Sequence, residues 1–189
     1  MKHACFSFAI CIIGLLIGQA GTAQPPVSSS FRYTIPAGYT LLDTASGDFN
    51  RDSYRDYIVI LRNDTEKENP DTTRPLLILM GDREGSLNPY TQNDHVVLCA
   101  ACGGVFGDPY EAITVKGAYF SVDHYGGSSW RWTRNITFKY DKVKKAFILH
   151  KDGGLSYHTS DPDKETRYTS QSAGYGKMPF EKYRYDAND

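Results

Sequence analysis

The stretch WRWTRNITFKY, Trp130 to Tyr140, limits the folding choices of this chain more than any other. Trp130, Trp132, Ile136, Phe138 and Tyr140 share one parity, with Arg134 as the exception. Arg131, Thr133, Asn135, Thr137 and Lys139 share the other. Side chains alternate across a strand with period two, so this pattern specifies a strand with one apolar face. Neighbouring segments supply its partners. HVVLC (95–99), AITV (112–115) and AYFSVDHY (118–125) read as strands, with Lys116-Gly117 as a hairpin signal. GGSS (126–129) turns the chain, the charged DKVKK (141–145) turns it into AFILH (146–150), and DGG (152–154) turns it again toward LSYH. An antiparallel meander over 95–158 is the expectation.

The preceding half of the chain reads differently. YIVIL (57–61) and LLILM (76–80) are continuous apolar runs without alternation, as in strands buried on both faces. The polar segment 62–75 between them, with two prolines, reads as a long exposed connection. No segment has the 3.6-residue periodicity of an amphipathic helix. The predicted fold class is therefore mainly β, built of antiparallel meanders.

The first residues, MKHACFSFAICIIGLLIGQAGTAQ, have a short positive start, an apolar run from Phe6 to Ile17 and the small residues Gly21-Thr22-Ala23. That is the layout of a secretory signal peptide over 1–23, followed by a flexible leader over 24–30. The expected location is secreted or periplasmic. No later run is long and apolar enough to span a bilayer. Residues 31–189 are read as one domain. Without the first 23 residues the chain holds 20 basic and 22 acidic residues, a charge near −2. A general nucleic-acid binder needs a basic surface, so that class is excluded.

Just ahead of YIVIL lies GDFNRDSYRD, Gly47 to Asp56. Asp48, Asn50, Asp52 and Asp56 stand at positions 1, 3, 5 and 9 of a loop, and the Tyr54 carbonyl stands at position 7. Hard cations such as calcium take six to eight oxygen ligands, and crowded carboxylates repel one another without one. SGDFNRDSYRDYIVIL resembles the FG-GAP or VCBS repeat of integrin α chains and bacterial secreted proteins. RPLLILMGDREGSL is similar to the next strand and turn of such a blade. The resemblance covers 39–87. It implies a structural calcium ion held by Asp48, Asn50, Asp52, the Tyr54 carbonyl and Asp56. It also implies one propeller-blade-like unit of hairpins packed on the meander, not a closed propeller. The chain departs from the repeat at Ser53, where a glycine with φ > 0 is usual.

The chain has four cysteines, two of them within the signal segment. Cys99 and Cys102 stand in C-x-x-C spacing, which in an exported protein reads first as a disulfide. A zinc site completed by His95 or His124, or a redox pair, are the alternatives. DHYGGSSWRW gathers His124, Tyr125, Trp130 and Arg131 about a glycine turn. Aromatic residues beside arginine favour recognition of a protein, peptide or glycan. His158, Asp161, Asp163 and Glu165 read as a solvated loop, with a second cation loop as the alternative. Asn63 and Asn135 begin N-x-T triplets and decide nothing. These features predict a non-catalytic binding or structural module, monomeric, with a structural calcium ion. The alternative is a cell-envelope hydrolase with a site around His124 and His158.

Overall fold

The computed structural model describes residues 35–169 and 175–185. The signal segment 1–23 and the leader 24–30 lie outside the described residues. Nine strands follow one another: β1 (Tyr39–Gly47), β2 (Asp56–Asn63), β3 (Arg74–Gly81), β4 (Leu87–Val97), β5 (Tyr110–Lys116), β6 (Tyr119–Gly127), β7 (Trp130–Asp141), β8 (Ala146–His158) and β9 (Asp161–Thr169). They form two antiparallel sheets, β1-β2-β3-β4 and β5-β6-β7-β8-β9, each strand beside its sequence neighbour. The expected class holds: mainly β, two meanders, one small domain and no closed ring among the described residues.

The two apolar runs behave as their lack of alternation requires. Ile58, Ile60, Leu76 and Ile78 face the second sheet, where they share one core with Phe120, Val122, Ile136, Phe138 and Phe147. Val59, Leu61 and Leu79 are buried on the opposite face. Alternation in β7 also gives what it promises. Ile136, Phe138 and Tyr140 point into the core, while Lys139 is exposed.

The polar member of the apolar parity, Arg134, is buried with its neighbours and carries its own counter-ion. Its Nε donates to Asp152 Oδ1 and its Nη2 to Asp152 Oδ2, both at 2.7 Å. The Tyr183 hydroxyl donates to the same carboxylate at 2.7 Å, and the Tyr185 ring covers the guanidinium at 4.2 Å. A bidentate pair with further hydrogen bonds is the arrangement that makes a buried charge tolerable. It also ties the tail 175–185 to the sheet.

Four boundaries differ from the sequence-based expectation. DGG does not turn: β8 runs unbroken through 152–154, because Asp152 is needed under the sheet as the Arg134 partner. The acidic segment at 161–169 is an edge strand, not a loop, and its Pro162 and charges suit an edge that must not recruit another chain. His95, Val96 and Val97 of HVVLC end β4 and so belong to the first sheet, Leu98 and Cys99 lie beyond it, and the meander spans 110–169 instead of 95–158. The β5–β6 turn is Gly117-Ala118, with Gly117 at φ +58°.

The 62–75 connection is anchored, not simply exposed. Its own Glu66 is buried and accepts Arg74 Nε at 2.6 Å, while Arg74 Nη1 and Nη2 donate to the Asp108 carboxylate at 2.6 Å. Arg74 therefore clamps this connection to the 98–109 segment.

Candidate functional site

Two places gather the predicted site residues: the acidic loop, and one end of the second sheet.

The acidic loop is pinned at both ends. Phe49, between two of its polar residues, is fully buried and packs edge-on against Phe147 at 5.5 Å and Phe120 at 6.4 Å. Asp56 Oδ2 accepts the Phe49 N–H at 2.8 Å, and Oδ1 accepts the Gly81 N–H at 3.0 Å. Between these pins the loop curls on itself. Asp48 accepts the N–H groups of Asp52 and Ser53, each at 3.0 Å. Asn50 Oδ1 accepts that of Asp52 at 2.9 Å, and Asp52 Oδ1 that of Tyr54 at 2.9 Å.

Ser53 takes the left-handed conformation, φ +75°, with Arg51 at φ +60°. Left-handed backbone in residues with a Cβ costs about 1–2 kcal/mol each. Burial pushes the Asp56 carboxyl up, and the charges of Asp52 and Asp48 push the same way, against the two N–H donors. The charges of Asp48 and Asp52 thus bear on the Asp56 carboxylate. The donor set is all oxygen, which fits a hard cation in kind. Among the described residues no group of three His, Cys, Asp or Glu side chains is placed to hold a metal ion. The carboxylates keep unused lone pairs beside their N–H bonds.

At the end of the second sheet the four predicted ligand-binding residues separate. His124 is only 2% exposed and lies on the core side of β6. Its Nε2 accepts the Leu98 N–H at 3.3 Å, and its Nδ1 has no hydrogen-bond partner. Burial drives its pKa down to about 4; Arg134 and Arg74 lower it too, while Asp108 opposes them. Its side chain is thus turned away from solvent, although the residue borders an open cleft with Glu111, Asp123 and Asn135. Trp130 is 60% exposed and rests edge-on against His158, to which it is paired across β7–β8.

Tyr125 and Arg131 share the outer face, where Phe106 joins them. The Arg131 guanidinium stacks on the Phe106 ring at 3.8 Å, and the Tyr125 ring lies 5.8 Å from it. Arg131 Nη1 is buried with no hydrogen-bond partner. Beside it is an open cleft of about 300 Å³ lined by Val105, Phe106, Ser128, Ser129 and Thr159.

Phe106 and Val105 escaped the sequence analysis, yet the fold invests heavily in their placement. They tip the segment 98–109, which is held three ways. Cys99 and Cys102 are joined in a disulfide, with Cα atoms 5.1 Å apart. Arg74 grips Asp108. Two glycine pairs, Gly103-Gly104 and Gly126-Gly127, meet backbone to backbone: the Gly127 N–H donates to the Gly103 carbonyl at 2.9 Å, and the Val105 N–H to the Gly127 carbonyl at 3.1 Å. A Cβ on Gly127 would lie 2.0 Å from the Trp130 carbonyl oxygen. The doublets CGG and YGG were the available signal, since paired glycines mark close backbone approach. Held so, Val105 remains 82% exposed and Phe106 48%.

The alternatives for the cysteines do not find their partners. His124 is buried against Leu98, His95 meets Arg184, and the cysteine turn opens no helix. Nor do His124 and His158 share a site: they lie on different strands, and His158 is bonded within its own turn to Ser160 Oγ at 2.7 Å. Comparison with protein-family profiles, curated proteins and solved structures gives no match.

Proposed function

We propose that this protein is an exported, non-catalytic binding module, braced by a structural calcium ion at residues 48–56. It would take a glycan or peptide at the cleft between Phe106 and Arg131. The observation that carries the binding reading is the Arg131 guanidinium, stacked on the Phe106 ring at the edge of an open cleft. An oxygen-rich ligand in the cleft would meet this cation, and aromatic residues beside arginine favour recognition. The rigid mounting of Val105 and Phe106 supports the same reading, because presenting apolar side chains in a fixed place lowers the entropy lost on binding. The resemblance to FG-GAP repeats and the all-oxygen donor set support the calcium assignment.

A hydrolase reading would draw on the His158–Ser160 contact. That contact spans two residues of one turn, and the Ser160 N–H donates to the same nitrogen at 3.2 Å, so it also serves as a local turn bond. Among the described residues no carboxylate orients the other ring nitrogen, which the usual serine–histidine arrangement requires.

The test is an array of glycans and peptides probed with the purified protein, repeated with Arg131→Ala and Phe106→Ala. Binding that falls at least tenfold in both variants, with melting temperatures within a few degrees of the parent, supports the cleft. Binding retained by both removes it. Turnover of an array ligand that disappears in His158→Ala would move the protein to the hydrolase class.

A further inference from the structure

A second cleft lies elsewhere, at the end of the β7–β8 hairpin, and measures about 550 Å³. Its floor is apolar: Ala118, Tyr140, Ile148 and Leu149 are all buried. Its rim carries three cations and a histidine. Lys139 and Lys142 come from the hairpin, His150 from the residue where β8 bulges out of register with β7, and Arg51 from the acidic loop. Among the described residues none of Arg51, Lys139 and Lys142 has a carboxylate within 4.0 Å.

The carboxylate that lines the same cleft, Asp141, serves the turn through one oxygen: its Oδ1 accepts the N–H groups of Val143 at 2.9 Å and Lys144 at 3.0 Å, and its charge also acts with Lys144 and Lys139. The rim is also held in place. The Lys139 ammonium lies over the Tyr119 ring, 5.3 Å from its centre, and the His150 ring meets the same tyrosine edge-on at 5.0 Å. A lysine resting on an aromatic face is less free to swing into solvent than one without such a contact.

A solvated charged face is the ordinary explanation for exposed lysines, and it accounts for any one of these. It does not account for three cations, of which only Lys139 feels a nearby carboxylate, gathered around a sunken apolar floor in a chain whose formal net charge is −1. Clefts of roughly 300–1,000 Å³ with apolar walls and a few placed polar groups are what small ligands occupy. We infer that this cleft binds a small amphipathic anion, an apolar or aromatic body bearing a carboxylate or similar acid group. The body would lie on Ile148 and Tyr140, and the acid group would meet Lys139 and Lys142. This site is separate from the Phe106–Arg131 cleft. Three of its four basic residues come from the hairpin, so it stands whether or not the acidic loop takes calcium.

The test compares 4-phenylbutyrate with its uncharged analogue 4-phenylbutan-1-ol, followed by amide chemical shifts of the isotopically labelled protein at low salt. The acid is expected to shift the amides of Ala118, Ile148, Leu149 and His150, and to bind at least tenfold more tightly than the alcohol. Lys139→Ala combined with Lys142→Ala should remove that tenfold preference, while Lys164→Ala, on the far edge strand, leaves it unchanged. Both hairpin lysines are exposed, so the double variant keeps the fold. Equal binding of acid and alcohol, shifts confined to other amides, or a preference that survives the double variant would each overturn the inference.

Discussion

His124 shows how a single side chain can fix the pH behaviour of the fold. Its ring is sealed in the core, accepts a backbone N–H as the neutral form, and has its pKa pushed down by burial from 6.5 to about 4. The unfolded chain takes up a proton near pH 6.5, whereas the folded chain resists until about pH 4. The stability that depends on a neutral His124 is therefore complete above pH 6.5 and is lost as pH falls through that window. Denaturant melts between pH 7.5 and 4.5 should show stability declining with acid in the parent. His124→Gln keeps an acceptor for the Leu98 N–H but does not titrate, so its decline over the same range should be visibly shallower. Equal slopes would mean that another group controls this limb. Asp108 acts lower on the scale: burial raises it, yet its hydrogen bond from Arg74 prevails and holds it below the usual carboxylate range. Its loss belongs to more acid conditions.

At the scale of elements, the acidic loop is where local geometry and charge meet. Two left-handed residues and three interacting carboxylates are a cost that the Phe49 anchor and the Asp56 hydrogen bonds offset. A calcium ion would remove the repulsive part. Extracellular modules bind calcium at about 10⁻⁴–10⁻³ M, so tenfold excess over Kd stabilises by roughly 1.4 kcal/mol. For a domain of this size that corresponds to about 3–6 °C in melting temperature. Removing calcium with EDTA should lower Tm by that amount, and Asp52→Ala should reproduce the loss and abolish the response to added calcium. An unchanged Tm in EDTA would leave the loop as a polar turn. The loop also marks the limit of sequence reading. Alternation and apolar runs made β2, β3, β6 and β7 legible, because period two reports directly which face is buried. Phe49 was not legible, since an aromatic within a polar loop carries no periodic signal. The Arg74–Glu66–Asp108 clamp was equally hidden: its members lie 8 and 34 residues apart, and only the folded chain brings them together. The same holds for the Phe106–Arg131 stack, where the glycine doublets marked the close approach but not which side chains it would bring into contact.

For the whole molecule, the decisive fact is that two sheets share one apolar core. Phe49 leaves the end of the first sheet and packs against Phe120 and Phe147 of the second. Tyr110, at the start of β5, donates its hydroxyl to Asp43 of β1 at 2.7 Å, joining the sheet edges. Neither sheet covers its inner face alone, so neither is expected to persist without the other. Both tryptophans lie on β7, in the second sheet, and report on that sheet by fluorescence, whereas far-ultraviolet circular dichroism reports on both. The two signals should follow one transition with a common midpoint. Phe49→Ala leaves every strand residue intact but empties the junction, and large-to-small changes at buried phenylalanines cost about 3–5 kcal/mol. The variant should move both signals to lower denaturant together. If the tryptophan signal kept its midpoint while the dichroism transition shifted or split, the sheets would be folding independently, and Phe49 would be a pin for its own loop and not for the molecule.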